Sequence, residues 1–429
     1  MIDIKIIREN PELVRAAIAK KQGDQSLVDQ VAKVDTERRA LRIETESLQA
    51  EQNRKTAEIP NLSPDEREKT KTQLRDLSDA IKEKRAQLTI LDEQFLVLMR
   101  QIPNLPAPEV PDGASDKENQ VIKTVGQQKK FDFTPKDHEQ IALNLGLLDL
   151  ERGAKVSGSK FYYLKNELVI LEMAVLRFAL DLLKAKGFTI MTVPHMVRAE
   201  AMYGAAHFAT PEDATDGDAY TLERDGLYLA GTAEVGLVNY HAGEILPEAD
   251  LTLRYAGISP SYRRESGTYG KETRGLYRVH QFNKVEMLSL ARPEDSEKEH
   301  ELLLAIAEDM LQKLGLTYQV VLNCGGDLGL PQSKKWDIET WMPGMGKYGE
   351  THSCSNDTDY QARSLNIRFR RSGGGKETEV EYLHTLNNTA LASPRILIPI
   401  LETYQQADGS VTVPEVLIPY TGFDHIRPS

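Results

Sequence analysis

The spacing of apolar positions changes near residue 103. Before it, Leu74, Leu77, Ile81, Leu88, Leu91, Phe95, Leu98 and Ile102 step by three, four or seven, and Lys84 interrupts the stripe. This is the seam of a heptad helix. Ser63 as N-cap, Pro64 at the first helical position and Glu66 three residues after Ser63 mark its start, and Pro103 marks its end. A helix from Pro64 to Ile102 measures roughly 58 Å at about 1.5 Å per residue. Val31, Val34, Leu41 and Leu48 form a weaker seam ahead of the turn IPNLSP. Two long helices joined by a short turn fold back as an antiparallel coiled-coil hairpin. On the heptads alone, a dimerisation rod or spacer is favoured over a nucleic-acid-binding arm.

Residues 103–113, PNLPAPEVPDG, are rich in proline and predict a boundary. From about residue 122 the pattern is mixed. Apolar helices are predicted over 164–185, 297–314 and 391–406. Strands are predicted over 188–193, 227–230, 276–290, 316–323 and 364–371. Helices and strands do not alternate regularly, so the class is α+β with a largely antiparallel sheet rather than a doubly wound one. The expected organisation is a helical domain over 1–103, a linker over 104–121 and a second domain over 122–429. No stretch matches G-x-x-x-x-G-K-[ST], so a P-loop fold is not supported.

Composition narrows the picture only a little. The chain has 429 residues, 40% hydrophobic and 28% charged, with a formal net charge of −12. Two cysteines, Cys324 and Cys354, argue against a disulfide framework and a Cys-rich zinc site. There is no secretory h-region and no apolar run long enough to span a bilayer, so no membrane partner is expected and the cytoplasm follows by default. The acidic balance disfavours bulk binding of nucleic acid but allows a local patch.

Against that balance, "YRRESGTYGKETRGLYRVHQFNKVE" (262–286) gathers Arg263, Arg264, Arg274 and Arg278 around one loop. Read as a hairpin, Arg263 and Glu265 share one face of the first strand while Arg264 points away. On the returning strand Arg278, Phe282 and Glu286 share a face, with His280 and Lys284 between them. Guanidinium forks match phosphate, an aromatic on a polar face offers a stacking platform, and carboxylates accept from an amine. An ordinary charged hairpin carries about equal weight on spacing alone. "AGTAEVG" (230–236) sets Thr232 and Glu234 at strand spacing. In "LNNTALASPRILIPILE" (386–402), Ser393 and Pro394 read as a helix start, and Arg395 falls in the first turn. A cation there opposes the helix dipole unless an anion sits at that end.

With these segments in order, the chain resembles a bacterial-type seryl-tRNA synthetase, a class II aminoacyl-tRNA synthetase, over essentially its whole length. IKIIRENPELV, IPNLPAPEVP, GTAEV, YRRES…RGLYRVHQFNKVE and LNNTALASPR carry the resemblance. It implies an antiparallel sheet with flanking helices behind a coiled-coil arm. It also implies ATP-dependent attachment of L-serine to tRNA(Ser), and to tRNA(Sec) where present, through a seryl-adenylate. GFTIMTVPHM (187–196) then matches the dimer-forming segment of a homodimer. The ATP positions are Arg263, Arg264, Glu265, Arg278, Val279, Phe282, Glu350, Thr351, His352, Ser353 and Arg395. Arg263 and Arg395 are the catalytic pair on the α-phosphate side, and Phe282 is the ring under adenine. Glu350 and Ser353 match positions that hold Mg²⁺ with the ATP. The serine positions are Thr232, Ala233, Glu234, Arg263, Glu286, Asn387 and Thr389.

The resemblance is imperfect at three places. Thr351 and His352 replace a β-branched aliphatic and a serine, Gly236 stands where proline is frequent, and Pro399 is expected to kink its helix. The alternatives are a related ligase that loads an amino acid onto a carrier protein, and a non-enzymatic coiled-coil protein with a degenerate nucleotide site. The first lacks the arm that this chain keeps. The intact Arg263, Glu265, Glu286 and Arg395 weigh against the second.

Overall fold

The computed structural model describes residues 1–266, 275–372 and 379–428, apart from the side chains of 214–216. Arg274 and most of the loop between Ser266 and Gly275 therefore lie outside the described residues. The chain divides into two compact units. One holds Ile2–Ala19 and Gly23–Ile102; the other holds Met1, Lys20–Gln22 and the chain from Pro103 onward.

The first unit is dominated by helices α1 (Leu27–Glu58) and α2 (Pro64–Gln101). The capping box predicted at Ser63 and Glu66 is present. Cross-helix partners establish antiparallel packing, because as one number rises the other falls: Arg38 with Asp92, Lys84 with Glu44, Lys55 with Gln73. Every predicted seam residue of α2 is buried or half-buried. Lys84 interrupts the stripe because its ammonium reaches Glu44 at 2.7 Å. On α1 the seam also uses polar residues that the apolar pattern hides. Asp35 is 2% exposed and Thr45 is 6% exposed. Asp35 accepts a two-pronged bond from Arg8, both distances 2.8 Å, and Arg38 lies over the Phe95 ring.

The second unit is built on one eight-stranded sheet. Its strands are β1 (Gln120–Val125), β2 (Thr189–Thr192), β3 (Leu253–Tyr262), β4 (Gln281–Ala291), β5 (Tyr318–Leu322), β6 (Lys334–Met342), β7 (Lys347–Asn356) and β8 (His384–Ser393). The spatial order is β1-β5-β6-β7-β8-β4-β3-β2. All neighbours are antiparallel except β2 with β3. This is the expected α+β class. Helices α3 (Glu167–Ala185), α5 (Ser296–Lys313) and α6 (Leu397–Tyr404) feed the main core, and a short helix α4 (Glu234–Val238) feeds a second core. The buried positions of α3, including Leu168, Leu171, Val175, Phe178, Ala179 and Leu183, recur at helical spacing and form its inward stripe. Alternation on β4 sends Val285 and Met287 to the main core and Leu288 and Leu290 to the second. The residues before Leu288 on that second face are left to line a cavity.

Several local expectations change. The strand predicted from residue 276 begins only at Gln281. The segment at 364–371 is a helix that ends at Leu365 and a strand from Arg368, separated by Asn366 in the left-handed region. The helix expected from Ser393 begins at Leu397, because β8 runs through Ser393. Pro399 is then the third residue of α6, where its missing N–H has no intrahelical partner to lose, so it need not kink the helix. The proline-rich stretch is held in the second unit: Asn104 donates to the carbonyls of Pro331 and Asp357, both at 2.8 Å. Among the described residues no helix is long and apolar enough to cross a membrane.

Candidate active site

A cleft of about 260 Å³ opens on the side of β4 that carries Phe282, Lys284 and Glu286. Their even spacing puts all three on one wall. Two irregularities shape the neighbouring strands. Between β6 and β7 the register shifts at Ile338/Glu339, leaving Thr351 as the extra residue. Strict alternation would turn Glu350 away from Thr351, Ser353 and Ser355, yet all four line the cleft. Between β4 and β8 the register shifts at Val285/Glu286, leaving Ala390 as the extra residue. Asn387 and Thr389 face the cleft before the shift and Ala392 after it, while Leu391 turns into the core. A bulge re-aims side chains in this way, and bulges concentrate beside functional sites.

One part of the cleft is cationic. Arg263, Arg278 and Arg395 all line it. Arg263 donates from Nε to the Gly231 carbonyl at 3.2 Å and sits 5.3 Å from the Phe282 ring centre. Its main chain exchanges bonds with His280, whose Nδ1 reaches the Arg263 carbonyl at 2.9 Å. Arg278 is paired with Glu265 at 2.8 Å. Arg395 lies over the Tyr277 ring at 4.7 Å, donates to the Tyr277 and Glu350 carbonyls at 3.2 Å each, and lies 3.6 Å from the Glu350 carboxylate. Burial opposes charge on Glu350, but Arg395, Lys335, Arg263 and Arg278 together hold its carboxyl below the ordinary range. Its side chain still keeps 44% of its surface open to the cleft.

The other part is small, polar and deep. Thr232 precedes α4 and Glu234 begins it. Lys284 pairs with Glu286 and donates to Thr232 Oγ1 at 3.1 Å. Glu234 accepts from Gln361 at 2.7 Å and faces His207 at 3.9 Å. The two carboxyls are driven apart. Burial would raise Glu234, yet His207, Gln361 and Lys284 leave it below the ordinary range. Burial raises Glu286 in spite of Lys284. One site thus offers a firmly charged carboxylate and a second that is nearer to taking up a proton.

The comparisons with known proteins agree with this geometry. The seryl-tRNA synthetase N-terminal domain matches residues 1–106, and the class II tRNA synthetase core domain (G, H, P, S and T) matches residues 220–404. The serine–tRNA ligase of Dictyoglomus turgidum is 46% identical over all of both chains. The chain belongs to the seryl-tRNA synthetase family. The serine–tRNA ligase of Deinococcus radiodurans is 44% identical over 98% of each chain. A crystal structure of the seryl-tRNA synthetase of Pyrococcus horikoshii complexed with ATP superposes with a TM-score of 0.90, at 41% identity and covering all of both chains. The cytoplasmic serine–tRNA ligase of Naegleria fowleri, in complex with AMP, gives 0.85 at 31% identity, covering 100% of this chain and 99% of that one.

For a member of this family the positions expected from sequence divide clearly. Thr232, Glu234, Arg263, Glu265, Arg278, Val279 and Phe282 line the cleft, as do Glu286, Glu350, Thr351, Ser353, Asn387, Thr389 and Arg395. Ala233, Arg264 and His352 do not. Ala233 is buried in the second core. Arg264 turns outward, donating to the Ala219 carbonyl at 3.0 Å over the Tyr220 ring. His352 turns away from the cleft face of β7 that carries Ser353 and Ser355. Its Nδ1 meets Thr351 Oγ1 at 2.8 Å, and burial pushes the imidazole down to about 4, so it is neutral. The reasons for some placements also differ from those expected. Thr232 and Glu234 sit in a turn and a helix, not a strand. Arg263 and Glu265 lie beyond the end of β3, with Glu265 at φ 53°. Arg395 lies in the turn before α6, not in its first turn. Sequence reasoning passed over Lys284, His207, Tyr277 and Gln332, which also line the cleft. Alternation on β4 pointed to Lys284; nothing local marked His207. Among the described residues no cluster of three or more His, Cys, Asp or Glu is arranged to hold a metal.

Proposed function

We propose that the chain attaches L-serine to tRNA(Ser) in two steps. Serine's carboxylate attacks the α-phosphorus of ATP to give seryl-adenylate and pyrophosphate, and a terminal ribose hydroxyl of the tRNA then attacks the acyl carbon. The observation that carries this reading is that three arginines and a deep pair of carboxylates line one cleft. The nucleophile of the first step is already an anion and needs no base. Its obstacle is repulsion from the phosphates. Arg263 and Arg395, held by main-chain carbonyls before ATP arrives, are donors fixed for that charge. Phe282 offers a stacking face for adenine, and the Arg278–Glu265 pair closes the adjoining wall.

Glu234, the firmly charged carboxylate, with Thr232 suits serine's ammonium. Glu286 and Thr389, opposite each other on β4 and β8, suit its hydroxyl. A site built to bond a hydroxyl rejects the analogue that lacks one by about 10⁴–10⁵, which disfavours alanine.

The donors fit Mg²⁺ arriving with ATP. Glu350 and Ser353 offer a carboxylate and a hydroxyl beside the arginines, and Mg²⁺ is held by one or two carboxylates plus substrate phosphates rather than by an all-protein cage. Bound there, the ion supplies further neutralisation of phosphate charge.

The helical domain is assigned to the tRNA, specifically the long variable arm of tRNA(Ser), and of tRNA(Sec) where one exists. Its basic residues are interleaved with acids, so contact is through shape and backbone. The active assembly is read as a homodimer formed through residues 187–196. That reading is supported by the edge position of β2 and by Met196, Ile170 and Met173, at least 45% exposed. The tRNA substrate puts this work in the cytoplasm. The test is exchange of labelled pyrophosphate into ATP, with and without tRNA(Ser). Exchange that needs serine but not tRNA is expected; exchange indifferent to serine removes the reading.

A further inference from the structure

We propose that Lys284 is a positioning residue for serine recognition: its ammonium is a resident counter-ion that holds Glu286 in its charged, accepting form and leaves Glu234 for the ammonium of the substrate. The proposal rests on the serine pocket assigned above. Lys284 and Glu286 are two apart on β4 and face the same way. The Lys284 ammonium contacts Glu286 Oε2 and donates to Thr232 Oγ1 at 3.1 Å. All three are buried, at 8%, 1% and 2% exposure. A lysine is rarely this buried unless its charge is matched.

The charge balance gives this placement a purpose. Glu234, Glu286 and Lys284 together carry one net negative charge, and one substrate ammonium neutralises it. Without Lys284, two carboxylates would share a buried pocket, and like charges so placed disfavour ionisation of one of them. Glu286 is the one already raised by burial, so it takes up the proton. The other titratable groups that bear on it are Glu234 at the start of α4, Arg263 past the end of β3 and the Cys354 thiol on β7. The thiol is held well above its ordinary range by burial and stays neutral. Arg263 is committed to the Gly231 carbonyl and to the cationic part of the cleft. Lys284 is thus the nearest cation to Glu286. A protonated Glu286 presents a donor where the serine hydroxyl needs an acceptor.

The test compares wild type, Lys284→Met and the double variant Lys284→Met/Glu286→Gln by serine-dependent pyrophosphate exchange across pH, with thermal midpoints on the same samples. Lys284→Met is expected to raise KM for serine about tenfold at neutral pH, the equivalent of one pKa unit at the carboxyl. KM for ATP should not change. Serine use should recover as the pH rises and Glu286 ionises, and the double variant should be more stable than Lys284→Met. A Lys284→Met protein that unfolds while the double variant folds also supports the counter-ion. A serine KM and pH profile equal to wild type overturns it, and so does failure of both variants to fold. Wild-type exchange that does not depend on serine removes the pocket assignment itself, and this proposal with it.

Discussion

The hairpin of α1 and α2 and the cleft beside β4 are both rich in charge and use it in opposite ways. On the hairpin, Arg42 and Asp92 pair at 3.3 Å with 49% and 40% of their side chains exposed. Lys84 and Glu44 pair at 24% and 55%. Water and salt screen such pairs, which contribute about 0–1 kcal/mol each, so the apolar seam holds the helices together. In the cleft, Lys284 and Glu286 pair at 10% and 1%. A charge there has little water to fall back on, and removing one partner strands the other. The same residue types therefore keep a rod solvated in one place and set substrate chemistry in the other. What separates the two cases is burial, not composition.

The largest expected effect comes from removing one region and keeping the other. Deleting residues 28–102 behind a short linker should leave serine-dependent pyrophosphate exchange largely intact and nearly abolish charging of tRNA(Ser). Mass, exchange and serylation are read on one sample. A truncated dimer that charges at the full rate sinks the tRNA-reading role of the arm. A monomer that has lost exchange marks the arm as a dimerisation rod instead. Within the cleft, Arg263→Ala should cost about 10²–10³ in exchange rate, the usual loss for one fixed donor to a developing anion. Near-normal exchange by the folded variant ends that assignment.

The next effect is structural and tests whether buried charge is costly wherever it lies. Glu402 is fully buried on α6 and accepts from the main chain of His138, Gly344 and Met345. Glu402→Ala leaves the N–H of buried His138 and those of half-buried Gly344 and Met345 without this partner, so a loss of about 1–3 kcal/mol or more is expected in a denaturant titration. Asp35 is the hairpin's own exception. Burial would raise its carboxyl, but Arg8, Arg38 and Arg39 hold it below the ordinary carboxylate range. A lowered carboxyl contributes stability above its unfolded value and loses it as the pH falls through the folded one. The base of the hairpin should therefore loosen below about pH 3.8, with faster amide exchange in α1. Asp35→Asn should remove that pH dependence and cost about 1–3 kcal/mol at neutral pH.

How far the sequence revealed each region follows the same division. The seam from Leu74 to Ile102 was legible because helix period and heptad spacing are local, and Lys84 stood out as the break. Asp35 and Thr45 were not, because a polar residue in a seam is visible only once Arg8 is seen to cross to it. In the cleft, the 4-residue spacing of Phe282 and Glu286 was enough to put them on one wall, while Arg278 reaches the cleft from ahead of β4, where alternation does not apply. The bulges at Thr351 and Ala390 were not legible: each is set by pairing with a neighbouring strand, β6 across a short turn for Thr351 and β4 far back in the chain for Ala390. They decide that Glu350 turns in. His207 lies in a loop with no period at all. Arg264 and His352 were carried in by adjacency to cleft residues; past the end of β3, Arg264 turns to the Ala219 carbonyl, and His352 turns off the cleft face of β7.

The smallest prediction compares one kind of change in both regions. Lys84 sits where the heptad asks for an apolar residue, and its ammonium serves a half-exposed glutamate. Lys84→Leu loses that pair, at about 0–1 kcal/mol. It gains apolar contact in the seam at about 0.8 kcal/mol per buried methylene. The two nearly cancel, so protection of α1 and α2 amides should change by no more than about 1 kcal/mol, with a gain favoured at high salt, where screening has already weakened the pair. The equivalent neutralisation at Lys284 is expected to disturb serine recognition at any salt concentration, because the bond it breaks is out of reach of the ions. If amide protection in the hairpin collapses on Lys84→Leu, its charges are as structural as those of the cleft, and the distinction between the two regions fails.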